Sequence, residues 1–379
     1  MKFSSPEPLQ RIVSAATMCI LFIFLISGSL YLIFPEQHYN AAGWGVLVKY
    51  VLYFWLLALL AGHVAINGTL SLSSIIVALA WVIAISIGVM MGADAKRAFL
   101  YLIPVTALLA PRSFQLRATS LALPLLMVTL AGAFYEYFVL GGFARFHPTS
   151  YRGISIFINP NNLGITVTVL AAYVTLTRRG TLSWITFTFC GGLVLYSGSK
   201  TGMAALLALT VLLLAQASAL RLVALGLPVL ALAALSIATG LVHVQLDSAW
   251  ERIRQYTEFF SNLNNTIFPF LDAMPYYADN AFIQLWIEMG LPAAIVYVTV
   301  MLICVVREKL WSPLWAIFVL SSMTTNVPYL FPLAYLFWFY AGTSFTQTSP
   351  KLGKMAVVRQ YPHDQHAFNL GEMATQSDR

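Results

Sequence analysis

The sequence predicts an all-α polytopic membrane protein of about twelve transmembrane helices. Three observations carry that prediction: composition, the length of the apolar blocks, and where the positive charges fall. Of 379 residues, 59% are hydrophobic and 9% charged, and the mean hydropathy is +0.79. A soluble domain is about a quarter charged. The apolar residues come in blocks of about 17 to 25, the length that crosses a ~30 Å hydrocarbon core at about 1.5 Å per residue.

The spans predicted are 12–34, 44–62, 69–91, 98–111, 118–140, 160–177, 181–197, 201–217, 221–241, 281–306, 312–327 and 329–346. An N-terminus on the cytoplasmic side puts Arg112, Arg117, Arg178, Arg179, Arg221, Arg307, Lys309, Lys351, Lys354 and Arg359 in the cytoplasm, as the positive-inside tendency requires. Among the short connections, Asp94, Lys96 and Arg97 occupy an outer one against that tendency, softened by the acidic neighbour. The first block is long and lacks a small-residue cleavage site, so it is expected to be retained as a span. Residues 1–346 are thus expected to form a transmembrane domain of an inner membrane, with both termini cytoplasmic. The polar stretch 347–379 reads as a disordered cytoplasmic tail.

Several function classes lose support here. The net charge of +7 is spread singly or in pairs over membrane loops, which argues against nucleic acid as a partner. Cys19, Cys190 and Cys304 lie inside apolar blocks without metal-ligand spacing, and His38, His63, His147 and His243 stand singly, so no metal is indicated. Neither a nucleotide-binding glycine loop nor a Ser-His-Asp order is visible, and no cofactor is expected.

On the outer side the topology leaves two substantial connections, 141–159 and a long periplasmic loop, 242–280, between the ninth and tenth helices. Within the latter, Trp250, Ile253, Tyr256, Phe260 and Leu263 recur at helical spacing, which predicts an amphipathic helix lying at the outer interface. Arg145, Arg152, Lys200, Arg252 and Arg254 fall in these outer regions, where cations are disfavoured unless something binds them. Arginine's planar fork suits phosphate oxygens. Ion pairing with Asp247, Glu251 or Glu258, or contact with lipid phosphate, is the competing reading for any single cation.

Three segments stand out. In YRGISIFINPNNLG, residues 151–164, Asn161 and its neighbours open a span behind Pro160, where asparagine caps the first amides as readily as it lines a site. YSGSKTG, residues 196–202, re-enters the membrane at Lys200, a snorkelling lysine or a ligand. YYADNAFIQLWIEMGLP, residues 276–292, places Asp279 and Asn280 before an apolar run, with Asp279 suited to helix capping or to chemistry. The same run holds Glu288, a carboxylate that should face the bundle interior; Glu136 in the fifth span raises the same question.

These segments, in this order and on this topology, resemble the O-antigen polymerase and O-antigen ligase superfamily of bacterial envelope glycosyltransferases over roughly residues 140–345. In that family a segment like RGISIFINPNN follows the fifth span, a Ser-Arg-(Thr/Ser)-Gly segment is similar to SKTG at 199–202, and the long outer loop ends in His-Asn or Asp-Asn before a helix with a mid-helix glycine. The resemblance implies metal-independent transfer of a glycan from an undecaprenyl-pyrophosphate donor to a sugar hydroxyl, outside the inner membrane. It implies pyrophosphate binding by Arg152, Lys200, Arg252 and Arg254, with Asp279 as catalytic base. Arg145, Asn161, Asn280 and Glu288 would line the substrate cavity. Membrane lipids, a flippase and a chain-length regulator are the further partners implied. Lys200 stands where the family has Arg, and Asp279 where ligases place His, so a polymerase of O-antigen, capsule or exopolysaccharide repeat units is favoured over a ligase acting on lipid A core. A lipid-linked glycan flippase or secondary transporter is the rival of another class. It would share the helices and the intramembrane carboxylates, but the sequence has no repeated halves and concentrates its polar residues at the outer surface.

Overall fold

The computed structural model describes residues 7–27, 44–67, 71–109, 122–141, 152–157, 159–177, 181–215, 254, 256–261, 263–272, 280–307, 312–328 and 333–346. These are helical with connecting turns, and no strand occurs among them. The all-α class is therefore observed. The described helices are α1 (Glu7–Ile26), α2 (Trp44–Asn67), α3 (Leu72–Met90), α4 (Ala95–Val105), α5 (Ala122–Phe134), α6 (Pro160–Thr177), α7 (Thr181–Ser197), α8 (Lys200–Ala215), α9 (Ala281–Met289), α10 (Leu291–Arg307), α11 (Ser312–Ser322) and α12 (Leu333–Thr346). The predicted ninth span, 221–241, and the tail, 347–379, lie outside the described residues.

Helix α6 is the axis of the bundle. It packs against α5, α7, α8, α11 and α12, and residues 162–174 are buried without a break. A helix apolar on every side has to be enclosed by others. Its few polar side chains are absorbed locally: Thr168 donates to the carbonyl of Gly164 at 2.8 Å and Thr166 to Asn162 Oδ1 at 3.3 Å. Small residues let α8 come close. A Cβ on Gly202 would stand 2.9 Å from the Cα and carbonyl carbon of Gly164, so the first turns of α6 and α8 touch backbone to backbone. Another part of the same core is aromatic: Trp81 and Trp338 have ring centroids 4.9 Å apart, as do Tyr297 and Phe337, tying α3 and α10 to α12.

Helix α3 is apolar on its exposed side as well as on its buried one. Leu72, Ile76, Leu79, Ile83 and Ile87 are exposed along one stripe, while Ser74, Ala78, Trp81, Ala84, Ile85 and Gly88 face inward. Among the described residues, Leu72–Met90 and Ala122–Val139 are the two helices long and apolar enough to cross a membrane, and shorter apolar helices have 10–17 residues. The expectation of about twelve full spans goes beyond that.

Four predicted elements differ. The span expected at 98–111 begins earlier, because Asp94 accepts from the amide of Lys96 at 2.9 Å and starts α4 at Ala95; Pro104 then gives way to a 3-10 turn, Thr106–Leu109. The helix expected over 118–140 changes pitch: its end, Tyr135–Val139, is a π-helical turn closed by the amide of Leu140 on the carbonyl of Tyr135 at 3.2 Å. The span expected at 281–306 is broken into α9 and α10 by Gly290, whose φ of 90° and ψ of 165° belong to a region only glycine enters readily. The helix predicted in the outer loop is observed at 256–261 but is turned. Phe259, not Phe260, is its buried residue, clustered with Ile287 and packed by Tyr256, Leu263, Ile283 and Trp286. It rests on α9 because Trp286 supplies a ring there and donates its indole N–H to the carbonyl of Thr266 at 2.7 Å. Trp250 and Ile253 of that predicted face lie outside the described residues.

Gly290→Ala is expected to destabilise the protein by about 1–3 kcal/mol from the backbone conformation alone, with a further clash because its Cβ would come 2.6 Å from Phe268 Cδ1. A drop in thermal unfolding temperature of the purified protein checks this; an unchanged temperature would show that the break does not need glycine.

Candidate functional site

The first cluster is built where α5 ends, α6 and α8 begin and α7 ends. Asn159 accepts from the amide of Asn161 at 2.7 Å and Pro160 takes the first helical position, the capping arrangement that leaves the Asn161 side chain available. Asn161 Oδ1 receives Arg152 Nη2 at 2.8 Å and Ser199 Oγ at 3.0 Å. Arg152 Nε also approaches the carbonyl of Ser197, at 3.4 Å. The half-buried guanidinium is thus fixed along its Nε–Nη2 edge. Ser199 in turn accepts from the amide of Gly202 at 3.0 Å, capping α8, whose first residue is the exposed Lys200. Gly198, with φ of 55°, makes the tight turn from α7 into α8.

Behind Arg152 lies a fully buried carboxylate, Glu136, on the π-helical turn. Its Oε2 accepts from the amides of Ile154 and Ser155, at 3.0 and 2.7 Å, and from Tyr196 Oη at 2.8 Å. Ser155 adopts a left-handed φ of 50°, which turns successive amides toward one point and makes a small anion-binding nest. Ser155 Oγ donates to the carbonyl of Thr129 at 2.6 Å, and the amide of Gly153 donates to the carbonyl of Tyr196 at 3.0 Å. Residue 153 must be glycine because a Cβ there would collide with the Tyr196 ring.

The second cluster surrounds Glu288, near the break between α9 and α10. Its Oε1 accepts from Arg97 Nη1 at 2.6 Å and from Gln284 Nε2; Oε2 accepts from Tyr101 Oη at 2.7 Å. Asn326 Nδ2 donates to Tyr101 Oη at 3.2 Å, and Trp81 Nε1 to the carbonyl of Tyr101 at 3.0 Å. Glu288, expected as a cavity residue, has donors on both oxygens, as a carboxylate buried to this degree requires. The cap of α9 is Asn280, which accepts from the amides of Phe282 and Ile283 at 2.9 and 3.1 Å and donates to the carbonyl of Met323 at 3.2 Å. Asn280 therefore takes the capping role considered for Asp279, since its Oδ1 reaches both amides.

Of the predicted site residues, Arg152 and Asn161 are joined directly, and Lys200 opens the helix that Ser199 caps beside them. Arg254 is exposed with Nε 3.7 Å from Glu258 Oε1, a weak surface pair. Arg145, Arg252 and Asp279 lie outside the described residues. The predicted site residues do not include Tyr196, Ser197 and Ser199, although these lie in the YSGSKTG segment, nor Arg97 and Tyr101. The signal for Arg97 is its expected outer position against the charge rule; Tyr101 carries no pattern of its own. No group of His, Cys, Asp and Glu able to hold a metal occurs among the described residues.

The first cluster is suited to an anion. The N-termini of α6 and α8 meet at Gly164 and Gly202, each with the positive end of its dipole at this point, beside a fixed guanidinium and an exposed ammonium. Comparison of the sequence with protein-family models and with curated proteins finds no match.

Glu288→Ala removes the acceptor of three side-chain donors and is expected to lower stability by about 2 kcal/mol or more. Glu288→Gln, which keeps one acceptor oxygen, is expected to lose less. Unfolding temperatures of the two variants check the order, and equal temperatures in both variants and the parent protein would remove the network's structural role.

Proposed function

We propose that the chain is an inner-membrane glycosyltransferase of about twelve spans that polymerises undecaprenyl-pyrophosphate-linked oligosaccharide repeat units at the periplasmic face. The apolar stripe of α3 supports a hydrocarbon surrounding, as do Phe134, Tyr137 and Phe138, exposed at the end of α5 where an interfacial aromatic belt is expected. The observation that carries the reading is Arg152, locked to Asn161 and Ser197 where the first turns of α6 and α8 meet.

In this reading Arg152 and Lys200 bind the donor pyrophosphate, with Arg252 and Arg254 contributed by the outer loop. The hydroxyl oxygen of the acceptor sugar attacks the anomeric carbon of the donor. The bond from that carbon to the pyrophosphate oxygen breaks, and lipid pyrophosphate leaves with the electron pair, stabilised by the cations. The hydroxyl proton passes to Asp279, which also orients the acceptor. A ligase would perform the same displacement with lipid A core as acceptor. The break at Gly290, two residues beyond Glu288, favours the transporter reading, since transporters use interrupted helices beside intramembrane carboxylates. The outer cation cluster weighs against it.

Deleting the gene and resolving surface glycans on a gel separates these readings. Single repeat units on lipid A core are expected for a lost polymerase; free lipid-linked polymer with bare core would assign a ligase. Within the enzyme, Arg152→Ala is expected to reduce polymer by about tenfold or more, from the loss of charge-assisted hydrogen bonds. Arg152→Lys should retain part of the activity because the charge survives without the fork. Equal losses would leave the fork without a role. Asp279→Asn is expected to lose polymer as Asp279→Ala does, with membrane expression intact, and near-normal polymer from Asp279→Asn would remove the residue from proton transfer.

A further inference from the structure

We infer that Glu136 is the positioning residue for the anion site: its buried carboxylate, seated in the nest formed by the amides of Ile154 and Ser155 and held by Tyr196 Oη, sets the loop that presents Arg152. This rests on the reading of Arg152 as a pyrophosphate ligand. Glu136 is fully buried on a π-helical turn, an insertion common at functional sites, and it accepts from backbone amides two and three positions beyond Arg152. The opposite side of the same loop is set by Tyr196, whose carbonyl takes the amide of Gly153 and whose ring covers the glycine. Tyr196 also donates to Glu136, so carboxylate, phenol and loop close a ring of hydrogen bonds.

From that ring the chain emerges at Arg152, aimed at Asn161 and the carbonyl of Ser197. A neutral amide at position 136 cannot replace the carboxylate. Three donors converge on Oε2 and one of them reaches Oε1 as well, at 3.2 Å, so a Gln side chain would turn an N–H group toward at least one amide. The left-handed φ of Ser155 would lose the anion that favours it. The loop would relax and the guanidinium would lose its fixed approach while the helices stay packed.

The test uses the full chain in nanodiscs with undecaprenyl pyrophosphate as probe, measuring equilibrium binding by Glu136→Gln, Arg152→Ala and the double variant. Glu136→Gln is expected to weaken binding by about tenfold, whereas in the Arg152→Ala background it should add less than about twofold, because coupled residues are not additive. Tyr196→Phe, which removes one donor and keeps the ring, should show a smaller loss that also vanishes in the Arg152→Ala background; it decides the matter if Glu136→Gln fails to fold. Binding by Glu136→Gln equal to that of the parent, or equal losses in both backgrounds, would overturn the inference alone. Undiminished binding by Arg152→Ala, or no binding by the parent protein, would overturn the pyrophosphate reading and this inference with it.

Discussion

The close approach of α6 and α8 at Gly164 and Gly202 is the constraint from which the candidate site follows. Two helices whose backbones touch at their first turns bring two sets of unpaired amides and two positive dipole ends together. Their neighbours have to satisfy them. Asn159 and Ser199 cap the two helices, and Asn161 and Ser197 gather Arg152 onto the junction. A larger residue at 202 would displace the backbone of α6 and separate the groups that meet there.

Buried charge is handled differently in the two clusters. Glu288 is paired with a half-exposed arginine and two neutral donors, bridging α4 and α9 across the bundle. Glu136 has backbone amides and a phenol as its hydrogen-bond donors. A carboxylate held mainly by amides depends on one backbone conformation of the chain that supplies them, so its effect is local ordering of residues 153–155. The Glu288 cluster ties helices together; the Glu136 cluster shapes a loop.

The helix break at Gly290 has a related cause. Its φ of 90° turns the chain, and the amide of Leu291 then donates to the carbonyl of Ile267 at 2.8 Å. Segment 263–272 is thereby fixed to the start of α10 by a backbone bond and to α9 by the indole N–H of Trp286 on the carbonyl of Thr266. A loop anchored in this way can carry residues to a defined place, which an unanchored loop does not do.

Composition and apolar block length by themselves determined that the chain is helical, and the Asn-Pro pair at 159–160 and the Ser-Gly-Ser turn at 197–199 marked helix starts that the structure has at those residues. Local chemistry is enough for such features, because capping and turn formation involve neighbours in the chain. The sequence also singled out Arg152 and Asn161 from their segments. What only the tertiary structure decided was partnership. Glu136 with Ile154 and Ser155, Arg97 with Glu288, and Asn280 rather than Asp279 as the cap of α9 all depend on which groups converge in space. The rotation of the 256–261 helix onto Phe259 depends on Trp286 in a later helix. No period or spacing along the chain encodes those meetings, since each couples residues through packing and hydrogen bonds formed when the bundle closes.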